Sequence, residues 1–245
     1  PNVLRVEPNY LRWFSGTCPT NDPSFPSLWA LHNTGQTING ATGTAGADIR
    51  FADAWCLTPP TTATVVVAVF DSGIDSTHPD LASNLWINTG EIAGNHLDDD
   101  NNGYIDDVIG YNFAGDTSDP ADSGYHGTHV SGTIAATGNN TAGIVGVDFQ
   151  ARLLACRVSS DGETISTAAV IEALQYAALM KARGVNLVAI NASFGGPSFS
   201  QTESDAIAAA GDAGIIFVAA AGNNATDNDL TPTYPASYRL ANMIV

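Results

Sequence analysis

Apolar positions along this chain fall into short unbroken runs rather than alternating ones. The most complete, Val65-Val66-Val67-Ala68-Val69-Phe70, follows Thr64 and ends in Asp71. An apolar, β-branched run without a charge predicts a strand buried on both faces, as at the centre of a parallel sheet. Comparable runs predict strands at residues 152–158, 185–191, 215–221 and 242–245. Helical periods lie between them. Val170, Ile171, Leu174 and Ala178 share one face of a helix expected over 166–183, a second helix is expected over 201–213, and Phe51 to Trp55 reads as a short helical turn. Alternation of this kind predicts an α/β fold, a mostly parallel central sheet with helices on both faces. The polar, Gly-rich stretch from Asn21 to Ala54 reads as surface wrapping, and residues 1–12 as a short edge strand.

Composition narrows the classes of function. With 245 residues and 44% hydrophobic content, the chain can form one sizeable core. Eight basic against 25 acidic residues, a formal charge of −17, argue against nucleic-acid or anionic-membrane partners and favour cations. No run reaches the length of a membrane-spanning helix, and the start at Pro1 predicts a cleaved or partial N-terminus. Of the three cysteines, Cys18 and Cys56 could pair in an oxidising compartment, whereas Cys156, in an apolar run, is expected to be a buried thiol.

Candidate chemistry gathers at the strand ends. Asp71 sits where open α/β sheets place ligands and catalytic groups, although Ser72-Gly73 behind it would equally suit a turn. Asp98, Asp100, Asn102, Gly103, Tyr104 and Asp106 have the spacing of a calcium loop that offers oxygen ligands at alternate positions. The twelfth position is Ile109 rather than Glu, so the site is either completed by Asp107 or another residue or is weaker than an EF-hand; the alternative is an acidic solvated turn. His126 is placed at the start of a helix rich in small residues, where the helix dipole disfavours an imidazolium. His126 with His129 could also form a metal pair, for which no third ligand of the same type stands nearby. The loop 137–144 offers the Asn140 carboxamide and several carbonyls to a hard cation. Small residues at Ser193-Phe194-Gly195-Gly196 and Ala220-Ala221-Gly222 would let a peptide backbone approach as an added strand, and Asn223 could donate to a developing oxyanion.

Asp71 in Val-Phe-Asp-Ser-Gly, His126 in His-Gly-Thr-His-Val-Ser-Gly-Thr, Ser193-Phe194-Gly195-Gly196 and Ala220-Ala221-Gly222-Asn223, in this order, resemble the subtilase (peptidase S8) serine endopeptidases, nearest their thermitase-like branch. The resemblance implies a three-layer subtilisin-like fold and a secreted, monomeric protease acting on proteins or peptides. Asp71 would orient His126, the general base and acid, and Asn223 would be the oxyanion donor. Ser193 to Gly196 and Ala220 to Gly222 would bind substrate. It also implies a structural calcium held by Asp22, Asp80, Asn140 and the carbonyls of Thr137, Ala142 and Ile144. Residues 1–15 would be the tail of an inhibitory propeptide and 16–245 the peptidase domain. The family's Gly-Thr-Ser-Met-Ala nucleophile motif does not occur in this sequence, which implies a fragment, incomplete at its C-terminus, that lacks the serine. The alternative is a non-catalytic, calcium-stabilised peptide-binding module on the same scaffold.

Overall fold

The computed structural model describes residues 20–55 and 64–245, and the chain divides into two compact units, residues 1–20 with 26–61 and residues 21–25 with 62–245. The expected propeptide tail, the N-terminal edge strand and the pair Cys18 and Cys56 lie outside the described residues.

In the smaller unit, β1 (Thr37–Ile38) pairs antiparallel with β2 (Ala41–Thr42) through Asn39 and Gly40, whose φ angles are 50° and 84°. Two successive positive φ values make the tight hairpin turn that Asn-Gly favours. This hairpin was concealed in a stretch that reads as polar wrapping. Helix α1 (Phe51–Trp55) occupies the expected helical turn, its two aromatic rings meeting edge-on at 5.1 Å.

In the larger unit, six strands form one sheet: β3 (Val66–Asp71), β4 (Gly110–Asn112), β5 (Arg152–Arg157), β6 (Leu187–Ala192), β7 (Ile216–Ala219) and β8 (Met243–Ile244). Their order is β4-β5-β3-β6-β7-β8, and every neighbouring pair is parallel. β3 is central as predicted, with Val69 opposite Ala155 on one side and Asn191 on the other. Period-two alternation along it divides the core. Ala68 and Phe70 pack with Leu154, Cys156, Ile190 and Phe217 beneath helices α3 (Thr167–Ala182) and α4 (Gln201–Asp212). Val69, Leu153 and Ala155 face the other way, against Leu81 and the end of α2 (His126–Ala135). The result is an α/β sandwich with helices on both faces. Each large apolar side chain removed from water contributes roughly 1.5–3 kcal/mol, so strands buried on both sides hold the sheet. Cys156 is a buried free thiol, as expected.

Local signals set the helix boundaries. Ser166 caps α3 by accepting from the Ala169 amide, and Ser200 caps α4 by accepting from Glu203. Helix α2 has no side-chain cap. It begins after Tyr125 in the left-handed region at φ 67° and is held by contacts of small residues, with Gly127, Ser131, Gly132 and Ala135 all buried.

Candidate active site and cation-binding loops

Parallel topology delivers the carboxyl end of β3 to the same edge as the start of α2. There His126 Nδ1 lies 2.8 Å from Asp71 Oδ1 and 2.9 Å from Oδ2. Asp71 is buried and its Oδ1 also accepts the Ser72 amide at 2.8 Å, whereas the His126 side chain is 54% exposed. An ionised carboxylate only accepts, so this contact sets the ring with a proton on Nδ1 and leaves Nε2 available for a reacting group.

The approach of the two elements depends on glycine. A Cβ on Gly127 would collide with the Gly73 carbonyl and come 3.1 Å from Asp71 Cβ. Asp122, which the sequence did not bring forward, fastens the same junction. Its Oδ1 accepts from Ser72 Oγ at 2.7 Å and the Gly124 amide at 2.8 Å, and its Oδ2 accepts from the Thr128 amide at 2.9 Å and the Thr128 hydroxyl. Ser72 Oγ in turn accepts the Gly127 amide at 3.0 Å, and Thr128 Oγ1 accepts the Asp75 amide at 2.9 Å. Burial pushes the Asp122 carboxyl up, but donation from Thr128, Gly124 and Ser72 outweighs it and holds the group below its ordinary range.

Beside this pair opens a cleft of about 630 Å³ that runs over the carboxyl edge of the sheet. Asp71, Ser72 and His126 line it, with Ser193 to Gly196 along one wall and Gly162 to Ile165 along another. Gly196 and Tyr234 exchange both backbone hydrogen bonds, at 2.8 and 2.7 Å, which fixes the first wall. In the second, Asp161 accepts from the amides of Thr164 and Glu163 and from the Thr164 hydroxyl, which together hold its carboxyl well below the usual range. Ala220, Ala221, Gly222 and Asn223 leave the sheet just past β7. The Ala220 amide donates to Ala192 at 3.1 Å, and Asn223 is exposed and is not among the residues lining the cleft. His129 lines a different cavity, with Asp75, His78 and Tyr125, so the two histidines do not share a site.

The acidic loop folds differently from its spacing. Asp98 accepts the amides of Asn102 and Gly103, and Asp106 turns away to accept those of Gly94, Asn95 and His96. Asn102 Oδ1 takes the Tyr104 amide, and the Tyr104 ring packs edge-on to Tyr111 and Tyr176. Asp100 instead meets Asp107 and Glu91, ligand atoms of the three lying within 4.8 Å of one another. Glu91 precedes the motif and carried no signal of its own. Burial pushes the Asp107 carboxyl up to about 6, against hydrogen bonds from Tyr176, Asn88 and Asn102. Asp100 Oδ1 is buried without a hydrogen bond, 3.2 Å from Arg183 Nη2. Crowded carboxylates with an unsatisfied oxygen fit a hard cation.

The second set of cation residues also comes together. Asp22 accepts the amides of Asn139 and Asn140, while Asp80 accepts from Asn140 Nδ2 at 2.8 Å and from the Ile144 amide at 2.9 Å. The Thr137 amide donates to the Asp80 carbonyl, and the Ala142 amide to Asn140 Oδ1. Three distant segments thus meet here, with N–H groups satisfying the carboxylates.

The fold and this edge define an α/β protein carrying a histidine–aspartate pair in an open cleft. A family model described as Peptidase_S8, Subtilase family, matches residues 62–245, and the chain belongs to the subtilase family. It is 40% identical over 161 residues to subtilisin-like protease 1 of Plasmodium berghei (strain Anka), covering 65% of this chain and 26% of that protein. It is 31% identical over 240 residues to the thermophilic serine proteinase of Bacillus sp. (strain AK1), covering 97% of this chain and 48% of that one, in keeping with a thermitase-like relation. A solved structure of a protease from Pseudoalteromonas arctica PAMC 21717 superposes with a TM-score of 0.59 at 26% identity, over 85% of this chain and 60% of that one. The chain therefore spans between about a quarter and a half of the length of these curated relatives.

Proposed function

We propose that the protein is a serine endopeptidase that hydrolyses peptide bonds in protein substrates, with Asp71 and His126 as two members of an Asp-His-Ser triad. The observation that carries this reading is the bond from His126 Nδ1 to the buried Asp71 carboxylate at the mouth of the cleft. His126 Nε2 takes the proton of the serine hydroxyl during acylation and returns it to the leaving amine, while Asp71 stabilises the imidazolium formed in between. The nucleophilic serine is assigned to the part of the relatives' length that this chain does not span. Asn223 donates its carboxamide N–H to the tetrahedral oxyanion once that part is in place. Ser193 to Gly196, with Ala220 to Gly222, receive the substrate backbone as an added strand.

Calcium is proposed as a structural ion. In the acidic loop Asp100, Asp107 and Glu91 would hold it, with Asp98, Asn102, Tyr104 and Asp106 shaping the loop around it. In the second set Asp80 and Asn140 would do so, with Asp22 and the carbonyls of Thr137, Ala142 and Ile144. Residues 1–15 are proposed as the end of an inhibitory propeptide, and the protein as secreted and monomeric. No helix among the described residues is long and apolar enough to cross a membrane.

The test is hydrolysis of a chromogenic peptide by the full gene product. The reading expects turnover abolished by a serine-directed inhibitor; turnover that the inhibitor leaves untouched would refute it.

A further inference from the structure

The cleft contains an acid that its catalytic end does not use. Glu203, in the first turn of α4, lines the cleft yet is only 5% exposed. Its Oε2 accepts from Tyr238 Oη at 2.7 Å, and among the described residues nothing donates to its Oε1. A helix-capping role does not explain it, because Ser200 takes the Glu203 amide and the Ser200 amide goes to Tyr238 Oη at 3.0 Å rather than to the carboxylate. Tyr238 thereby fixes the carboxylate and is itself held by the Tyr234 ring, 4.9 Å away, which also lines the cleft.

We propose that Glu203 makes the cleft selective for peptides carrying a lysine or arginine side chain at a position removed from the bond cleaved. This rests on the cleft binding a peptide, as in the proposed function. Among the described residues that line the cleft, the acids are Asp71, Glu163 and Glu203 and there is no lysine or arginine, so a cation meets acids alone. Ile165 and Phe194 supply apolar wall for the methylene stem, and Oε1 receives the charged head. Burial raises the Glu203 carboxyl, a cost that an incoming cation relieves. The position is removed from the chemistry because His126 is on α2 and Glu203 on α4, helices that cover opposite faces of the sheet.

The test profiles a quenched-fluorescent peptide library, varied one position at a time, on the full gene product and on Glu203→Gln. The same peptides are titrated by fluorescence anisotropy onto His126→Ala with and without Glu203→Gln. At one position the kcat/KM ratio of lysine or arginine over norleucine should be about tenfold in the wild type and fall to near unity in Glu203→Gln, with the binding ratio following. A wild-type ratio near one, or a ratio that survives Glu203→Gln, overturns the proposal; if that variant does not fold, Glu163→Gln decides it, a ratio that persists supporting Glu203 and one that collapses overturning it. Glu203-dependent binding without turnover would support it while refuting the protease reading.

Discussion

Two side chains carry the proposed chemistry, and a third holds them in register. If His126 acts as base, Asp71→Asn in the full gene product should lower kcat by about 10⁴-fold, the loss such a substitution causes in triad proteases, with much less change in KM. Asp122 makes a different prediction. Its folded carboxyl ionises more readily than an unfolded one, so its contribution to stability is fully present above the ordinary carboxylate range and is lost as pH falls through its lowered value. Asp122→Asn should therefore cost about 1–3 kcal/mol at neutral pH and flatten the acid limb of a denaturation profile, read by urea melts from pH 7 to pH 3. An unchanged acid limb would mean that Asp122 titrates alike in both states. Asp71 and His126 were legible because their flanking motifs are distinctive. Asp122 and Glu203 were not, since an acid in sequence looks the same whether solvated or enclosed, and only packing set Tyr238 against one and Thr128 against the other.

Elements meet here through glycine more than through side-chain interlocking. Gly127→Ala would drive a methyl group into the Gly73 carbonyl, prying α2 from β3. It should cost about 1–3 kcal/mol in thermal melts and lengthen the His126–Asp71 contact, seen as a fall in kcat larger than any rise in KM. Gly124 and Gly162 pack back to back in the same way, joining the loop before α2 to the cleft wall. The strands buried on both faces were legible as apolar runs, α3 as a periodic face and α4 by its span, whereas the serine caps that start both helices were not brought forward. Two further features escaped. β4 is three residues long and begins at Gly110, where any Cβ would strike the Ala155 carbonyl, so neither length nor propensity marks it. In the acidic loop, spacing located the carboxylates but not their partners: Asp98 and Asp106 are taken by backbone amides, and Glu91 arrives from outside the motif.

For the whole molecule, the proposed cations join segments far apart in sequence, Asn21 to Asp22 with the loop at 137–144, and Glu91 with Asp100 and Asp107. An ion bound only by the folded state adds about 2.7 kcal/mol at a free concentration 100 times its Kd, or roughly 5–10 °C in Tm for a protein of this size. Chelation should lower Tm by that order and added calcium should restore it; a Tm indifferent to both would remove calcium from the account. Asp71 and His126 are proposed to activate a serine for peptide hydrolysis. The most direct test of this is intact-mass measurement of the full gene product after fluorophosphonate treatment, wild type beside His126→Ala. One adduct per molecule is expected, on a serine outside residues 1–245, with its loss or marked slowing in His126→Ala. No adduct on the folded wild type, or equal labelling of both proteins, would contradict it.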